Sequence, residues 1–295
     1  MDKRRMTALL AGVMLLLPSP LLAQAAQQSA PTATSDPVVV TARPIPREAE
    51  IKDQILGVTG RPQSDMPLMR FREPVCIGTA GLPVAASEEI LRRMMATVQS
   101  LGMPMAPDGC RPNILILFAD NPQEQLLGLR TRSPQIFGDL TRPAVSRIVK
   151  APGPVYAWNA AVRVSRDGDL VIQQEGPSTN WPEMKVGAAS RLLSPVRQDI
   201  AASVVVIERK ALLNKTLVQI ADYAVMRSMA ATKPVADAAM PTILTLFDKD
   251  ATAPTEFTEF DRGVLGGLYQ SPRHAGATQQ IANMARGVRE ASTTP

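Results

Sequence analysis

His274 is the only histidine in a chain of 295 residues, and that scarcity bounds the chemistry before any fold is considered. A zinc cage of the usual kind takes four histidine or cysteine ligands. Cys76 and Cys110 are the only cysteines, so no metal site and no cofactor are expected. A Ser-His-Asp triad would have to use His274, which lies in the loop Ser271-Pro272-Arg273-His274 with no nucleophile motif near it. Neither Gly-x-Ser-x-Gly nor Ser-x-x-Lys occurs. There is also no Gly-x-x-x-x-Gly-Lys or Gly-x-Gly-x-x-Gly loop to cradle a nucleotide. Carboxylate chemistry remains. Two carboxyls at a fixed separation can divide the acid and base roles of glycoside hydrolysis, and Asp199, Glu208 and Asp222 gather around one strand–helix unit. Asp222 is the one candidate catalytic residue. The competing reading is an ion-paired or solvated helix aspartate.

The unit that must position these groups runs from Ala202 to Ala231. Val204 to Ile207 are all β-branched, which suits a strand covered on both faces. Thr216 followed three residues later by Gln219 has the form of a capping box and marks a helix start. Leu217, Ile220, Ala221, Ala224 and Met229 then give that helix an apolar face. Lys233-Pro234 closes the segment, because proline disfavours helical geometry in the residue before it.

Before this unit, a strand is expected over Phe71–Ile77 and a turn over Gly78–Pro83. A helix capped by Ser87 follows, with Ile90, Leu91, Met94, Val98 and Leu101 as its buried stripe. Asn113–Phe118 reads as a second, central strand, parallel to the first through a right-handed crossover. Asn121, Pro122 and Glu124 start a helix to about Arg130, and Ala144–Lys150 makes a short one. Val155–Ser165 reads as a strand, Asp167-Gly168 as a hairpin turn and Leu170–Gln173 as its return. Gly176–Arg197 is expected as a long irregular loop. After the central unit come a strand at Thr242–Phe247, a helix capped by Thr258 to about Tyr269, and a last helix over Ala277–Glu290. The fold class is therefore α/β of the α+β kind: a mixed sheet flanked by helices, with a helical C-terminal lobe.

Residues 1–25 have the layout of a secretory signal peptide: charged Asp2 to Arg5, an apolar run from Met6 to Leu17, and small residues around Ala23 and Ala25. The apolar run is shorter than the roughly 20 residues that cross a bilayer, and no transmembrane segment is expected after cleavage. Cleavage after Ala25 changes 32 basic and 27 acidic residues to 29 and 26, a mature net charge of +3. With no basic run and few aromatics, nucleic acid is not an expected partner. A periplasmic or secreted location favours a bridge between Cys76 and Cys110, the alternative being two buried thiols. Residues 26–69 are expected as a flexible linker. Within it Asp36-Pro37-Val38-Val39-Val40-Thr41-Ala42 resembles the TonB box of outer-membrane receptors, and an exposed run of this kind can add as a strand to a partner's sheet.

The central unit, Thr242-Ile243-Leu244-Thr245-Leu246-Phe247-Asp248 and Phe260-Asp261-Arg262-Gly263-Val264-Leu265-Gly266-Gly267-Leu268-Tyr269 together resemble a family of exported proteins of Gram-negative bacteria without assigned function. The C-terminal region of that family is similar to zincin-like domains. The resemblance implies that residues 70–295 form a single zincin-like α/β domain. In zincins the helix after the edge strand carries the metal ligands as His-Glu-x-x-His. Here the corresponding run is Ala221-Asp222-Tyr223-Ala224-Val225-Met226, with Asp222 and Met226 near the ligand positions. The resemblance thus implies a non-catalytic binding or interaction module with a protein or peptide partner in the cell envelope. The alternatives are a carboxylate-dependent hydrolase of peptides or glycans, and a purely structural envelope protein.

Overall fold

Val204 to Ile207 lie in the interior of a four-stranded sheet, as their unbroken β-branched run demands. The computed structural model describes residues 46–62, 66–169, 172–173, 182–183 and 194–293, all within the unit Pro44–Pro295. In chain order its elements are α1 (Glu48–Thr59), β1 (Ile77–Ala80), α2 (Val84–Ser100), β2 (Ile114–Ala119), α3 (Pro122–Arg132), α4 (Arg142–Lys150) and β3 (Val155–Ser165). They continue with β4 (Ile172–Gln173), β5 (Pro182–Glu183), β6 (Val196–Glu208), α5 (Leu217–Met229), α6 (Glu259–Gln270) and α7 (Ala277–Ala291). The fold is thus mixed α/β, and none of the described helices is long and apolar enough to cross a membrane.

The sheet has the order β1-β2-β6-β3. Strands β1, β2 and β6 are parallel, with Ile77 opposite Ile114 and Ile114 opposite Ser203, while β3 is antiparallel to β6. Alternation along β6 divides the core. Val205 and Ile207 face Ile114, Ile116 and the residues of α2 and α5, whereas Val204 and Val206 face Tyr156, Trp158 and the residues of α3 and α4. Each such side chain contributes about 1.5–3 kcal/mol by leaving water. Every residue of α5 from Ile220 to Met229 is buried, so this helix is covered on all sides rather than along one face.

Several elements differ from expectation. The helix α1 lies inside the stretch read as linker: Ile51, Ile55 and Val58 are fully buried in the main core. Gln54 also exchanges two hydrogen bonds with the backbone of Met240. The first paired strand is Ile77–Ala80 rather than Phe71–Ile77, because Val75 and Arg70 form only isolated bridges, to Met105 and Asp199. The Pro112 ring packs against Gly78, where a Cβ would come within 2.8 Å of it. Helix α2 starts at Val84 behind Pro83, one turn before the expected cap at Ser87. Ile243–Thr245 is a 3-10 turn and not a strand. The Asp261 carboxylate accepts from Ile243 N, and Thr242 Oγ1 accepts from Leu244 N, so side chains replace the neighbouring strand.

The Asp167-Gly168 turn is present, with Gly168 at φ 107° and Ser165 N donating to Asp169 O. Among the described residues, however, the strand that pairs with β3 is β6. Ile172–Gln173 pairs instead with Pro182–Glu183. Residues 170–171 lie outside the described residues, as do 174–181, 184–193 and the Val38–Val40 motif. Cys76 and Cys110 are joined, with sulfurs 1.96 Å and Cα atoms 6.2 Å apart.

Candidate functional site

Asp222 stands where α5 faces α2. The helix begins with the capping box read from the sequence: Gln219 N donates to Thr216 Oγ1, and Thr216 N donates to Gln219 Oε1. Less than two turns on, the Asp222 carboxylate is fully buried. Arg93 Nε and Nη2 donate to its two oxygens, each at 2.8 Å, and Phe257 N donates to Oδ2 at 2.7 Å. The hydrogen bond to Asp222 holds the Arg93 guanidinium further above its ordinary range. This carboxylate ties α2, α5 and the segment before α6 together, and no face of it is open to a substrate.

The other carboxylates are also ion-paired and lie apart. Asp199 and Glu208 are nine residues apart along β6, about 30 Å in an extended strand. Asp199 is held by Arg197 at 2.9 Å, and Glu208 by Lys210 at 2.6 Å. The acid–base pair sketched from the sequence is therefore not assembled. Among the described residues no group of three or more His, Cys, Asp or Glu side chains is placed to hold a metal ion. Met226 is fully buried in the core, and the His274 carbonyl accepts from Ser194 N in a loop. The pair at i and i+4 on the next stripe of α5 is Tyr223 and Arg227, joined by Arg227 Nη1 donating to the phenol oxygen at 2.8 Å. Burial pushes the Tyr223 phenol up, with Arg227 opposing.

A different feature is open. Strand β3 is one of the two edge strands of the sheet, and its only strand partner among the described residues is β6. Val162, near its end, is 40% exposed and is followed by exposed Arg163. Opposite them the register shifts, so Ala160 pairs with Ala202 but Ala161 with Ile200. The bulge leaves Ala201 unpaired and bends the ribbon. Beside this stretch runs a groove of about 410 Å³ with Met66, Leu68, Met69 and Leu268 as its apolar lining, and Arg163 and Gln198 as its polar one. Ala230 and Ala231 close its end at the exit of α5.

The wall formed by residues 66–72 is firmly held. Gln198 Nε2 donates to Pro67 O at 2.6 Å, Leu68 N donates to Gln280 Oε1 at 2.6 Å, and Ile200 N donates to Arg70 O. The Arg70 guanidinium is 2% exposed and donates to the carbonyls of Leu268, Ser271 and Pro272, so it caps the C-terminal end of α6. Burial, with Arg72 adding repulsion, lowers its pKa to about 10, which leaves it cationic at neutral pH. Tyr269 OH accepts from Phe71 N and donates to Met229 O, locking the same wall to α5. Burial pushes that phenol up as well.

None of the groove residues is visible as a site in the sequence. Met66 to Met69 fall in the stretch read as linker, and Arg163 is one polar residue in an alternating strand. No protein-family model, curated protein or solved structure matches the chain significantly.

Proposed function

We propose that this chain is an exported, non-catalytic binding module that holds an extended peptide segment at the margin of its sheet. The observation that carries the reading is the 11-residue strand β3, at an edge of the sheet and flanked by the groove at Arg163 and Gln198. An incoming strand can pair with such an edge through main-chain hydrogen bonds, while the groove takes its alternate side chains. The methionine-rich wall suits this role, because thioether side chains adapt to varied apolar partners.

A degenerate zincin-like scaffold accounts for the same arrangement. Helix α5 follows the strand beside the antiparallel edge strand, and Asp222 and Met226, near the ligand positions by that resemblance, are respectively bonded to Arg93 and buried in the core. The disulfide accords with an oxidising compartment. Hydrolysis by carboxylates gains no support, since Asp199, Glu208 and Asp222 are each engaged by an arginine or lysine.

Panning a random peptide library against the mature protein tests the proposal. Enriched peptides should be extended and rich in β-branched residues, and both Val162→Pro and Arg163→Glu should weaken them at least about tenfold, or 1.4 kcal/mol. Arg163→Glu changes an exposed side chain, so it should leave the melting temperature in place. The proposal fails if no peptide is enriched, or if enriched peptides bind both variants like the parent protein.

A further inference from the structure

The carboxyl ends of the parallel strands carry a second opening that the peptide groove does not use. Strands β2 and β6 end level at Ala119 and Glu208, and β1 ends two residues short of them at Ala80, opposite Leu117. From these ends the chain enters α2 and α5 on one face of the sheet but α3 and α4 on the other. In open α/β sheets the crevice outside the strand ends, where successive connections diverge, is where ligands settle. Arg209 spans part of this edge, donating to both Asp120 oxygens and to Gly81 O. Beside it lies a cleft of about 870 Å³, bounded by Gly153-Pro154, the start of α5 and the segment Leu246–Ala253. Small-molecule sites occupy roughly 300–1,000 Å³.

The charges in the cleft are unbalanced. Lys210, Lys215 and Lys249 line it against Glu208 and Asp248. Glu208 is already paired with Lys210, and Asp248 Oδ1 accepts from Asp250 N. Lys215 and Lys249 have no ion-pair partner among the described residues. Lys215 is nevertheless placed: Asn214 takes the left-handed conformation at φ 62°, which turns the chain, and Lys215 Nζ stands 5.5 Å from the centre of the Phe247 ring. Tyr223 meets that ring edge-on, at 4.8 Å between centroids. The cleft therefore offers a cation fixed over an aromatic ring and a second cation at the rim.

We infer that this cleft binds a small aromatic organic anion, its acid group between Lys215 and Lys249. Titrating the mature protein with anilinonaphthalene sulfonate, an aromatic organic anion, and reading its fluorescence tests this. Saturable binding at one site per chain is expected, and it should weaken as salt rises because exposed charges are screened. Lys215→Gln with Lys249→Gln should weaken binding about tenfold, and Lys150→Gln, on α4, should not. Lys215→Met keeps the stem on the Phe247 ring and removes only the charge, so it should weaken binding with unchanged thermal stability. The neutral parent dye without its sulfonate should bind more weakly than the anion. Absence of saturable binding overturns the inference, and so does an affinity unchanged by both the double variant and Lys215→Met. The cleft shares no residue with the groove at β3, so a failure here leaves the peptide reading standing.

Discussion

Asp222 combines full burial, a bidentate arginine and a backbone amide, which makes it a structural carboxylate. The pair is asymmetric, because Arg93 keeps 31% of its side chain exposed while Asp222 keeps none. Losing the charge of Asp222 therefore leaves Arg93 with water and with Glu256, which already accepts from its Nη2, but leaves Phe257 N without a partner as good. Asp222→Asn should keep the fold and cost about 2–3 kcal/mol in a denaturant titration, from the loss of charge-assisted hydrogen bonds. A double-mutant cycle with Arg93→Met should show coupling above about 1 kcal/mol. A neutral Asp222→Asn would show that these hydrogen bonds add nothing to stability. Nothing in the sequence marks this role: Arg93 lies 129 residues away, and only the packing of α2 on α5 brings the two together.

At the scale of elements, helices α6 and α7 meet through glycines. A Cβ on Gly263 would lie 2.3 Å from the Val288 backbone, and one on Gly267 would lie 2.4 Å from the Cα of Met284. Close approach of the two backbones is thus built on the missing side chains. Gly266, between them in α6, has open space around it. Gly263→Ala should destabilise by about 1–3 kcal/mol through overpacking, whereas Gly266→Ala should stabilise by up to about 1 kcal/mol through helix propensity. Paired melting curves separate the two effects, and equal shifts would refute the contact. Local signals of this kind read well where partner and signal are close in sequence. Thr216 with Gln219, and Thr258 with Asp261, form capping boxes in the structure, and Val155–Ser165 is a strand with the expected ends. Thr242–Phe247 read as a strand from its β-branched and aromatic residues, but the acceptor that turns it is Asp261, on the following helix.

Across the whole molecule, the bond between Cys76 and Cys110 closes a chain segment that contains β1 and α2. Chain entropy values a loop of this length at about 4 kcal/mol at most. Cys76→Ser with Cys110→Ser should lower the denaturation midpoint accordingly, and reducing agent should shift the parent protein but not the variant. Coincident midpoints with and without reductant would show that the bridge adds nothing. The start of the domain is also set at this scale. Ile51, Ile55 and Val58 have the i, i+4, i+7 spacing of a buried helix stripe, with Glu48 and Glu50 in the first turn and Gly60 behind. That pattern was legible, but it adjoins a stretch of low complexity, and its anchor at Met240 lies 186 residues downstream of Gln54.

Composition and local pattern alone determined that the chain carries one histidine and no His-Glu-x-x-His run, which cysteines can pair, and that helices cover a mixed sheet with a buried central strand. These follow from residue counts and from periodicities of two and 3.6, which act between neighbours in sequence. Tertiary structure decided the rest: that Asp222 is spent on Arg93, that Asp199 and Glu208 stand at opposite ends of β6, and that β3 is left at the margin beside a groove. Such facts depend on which distant segments share a face of the core, and no short-range pattern encodes that choice.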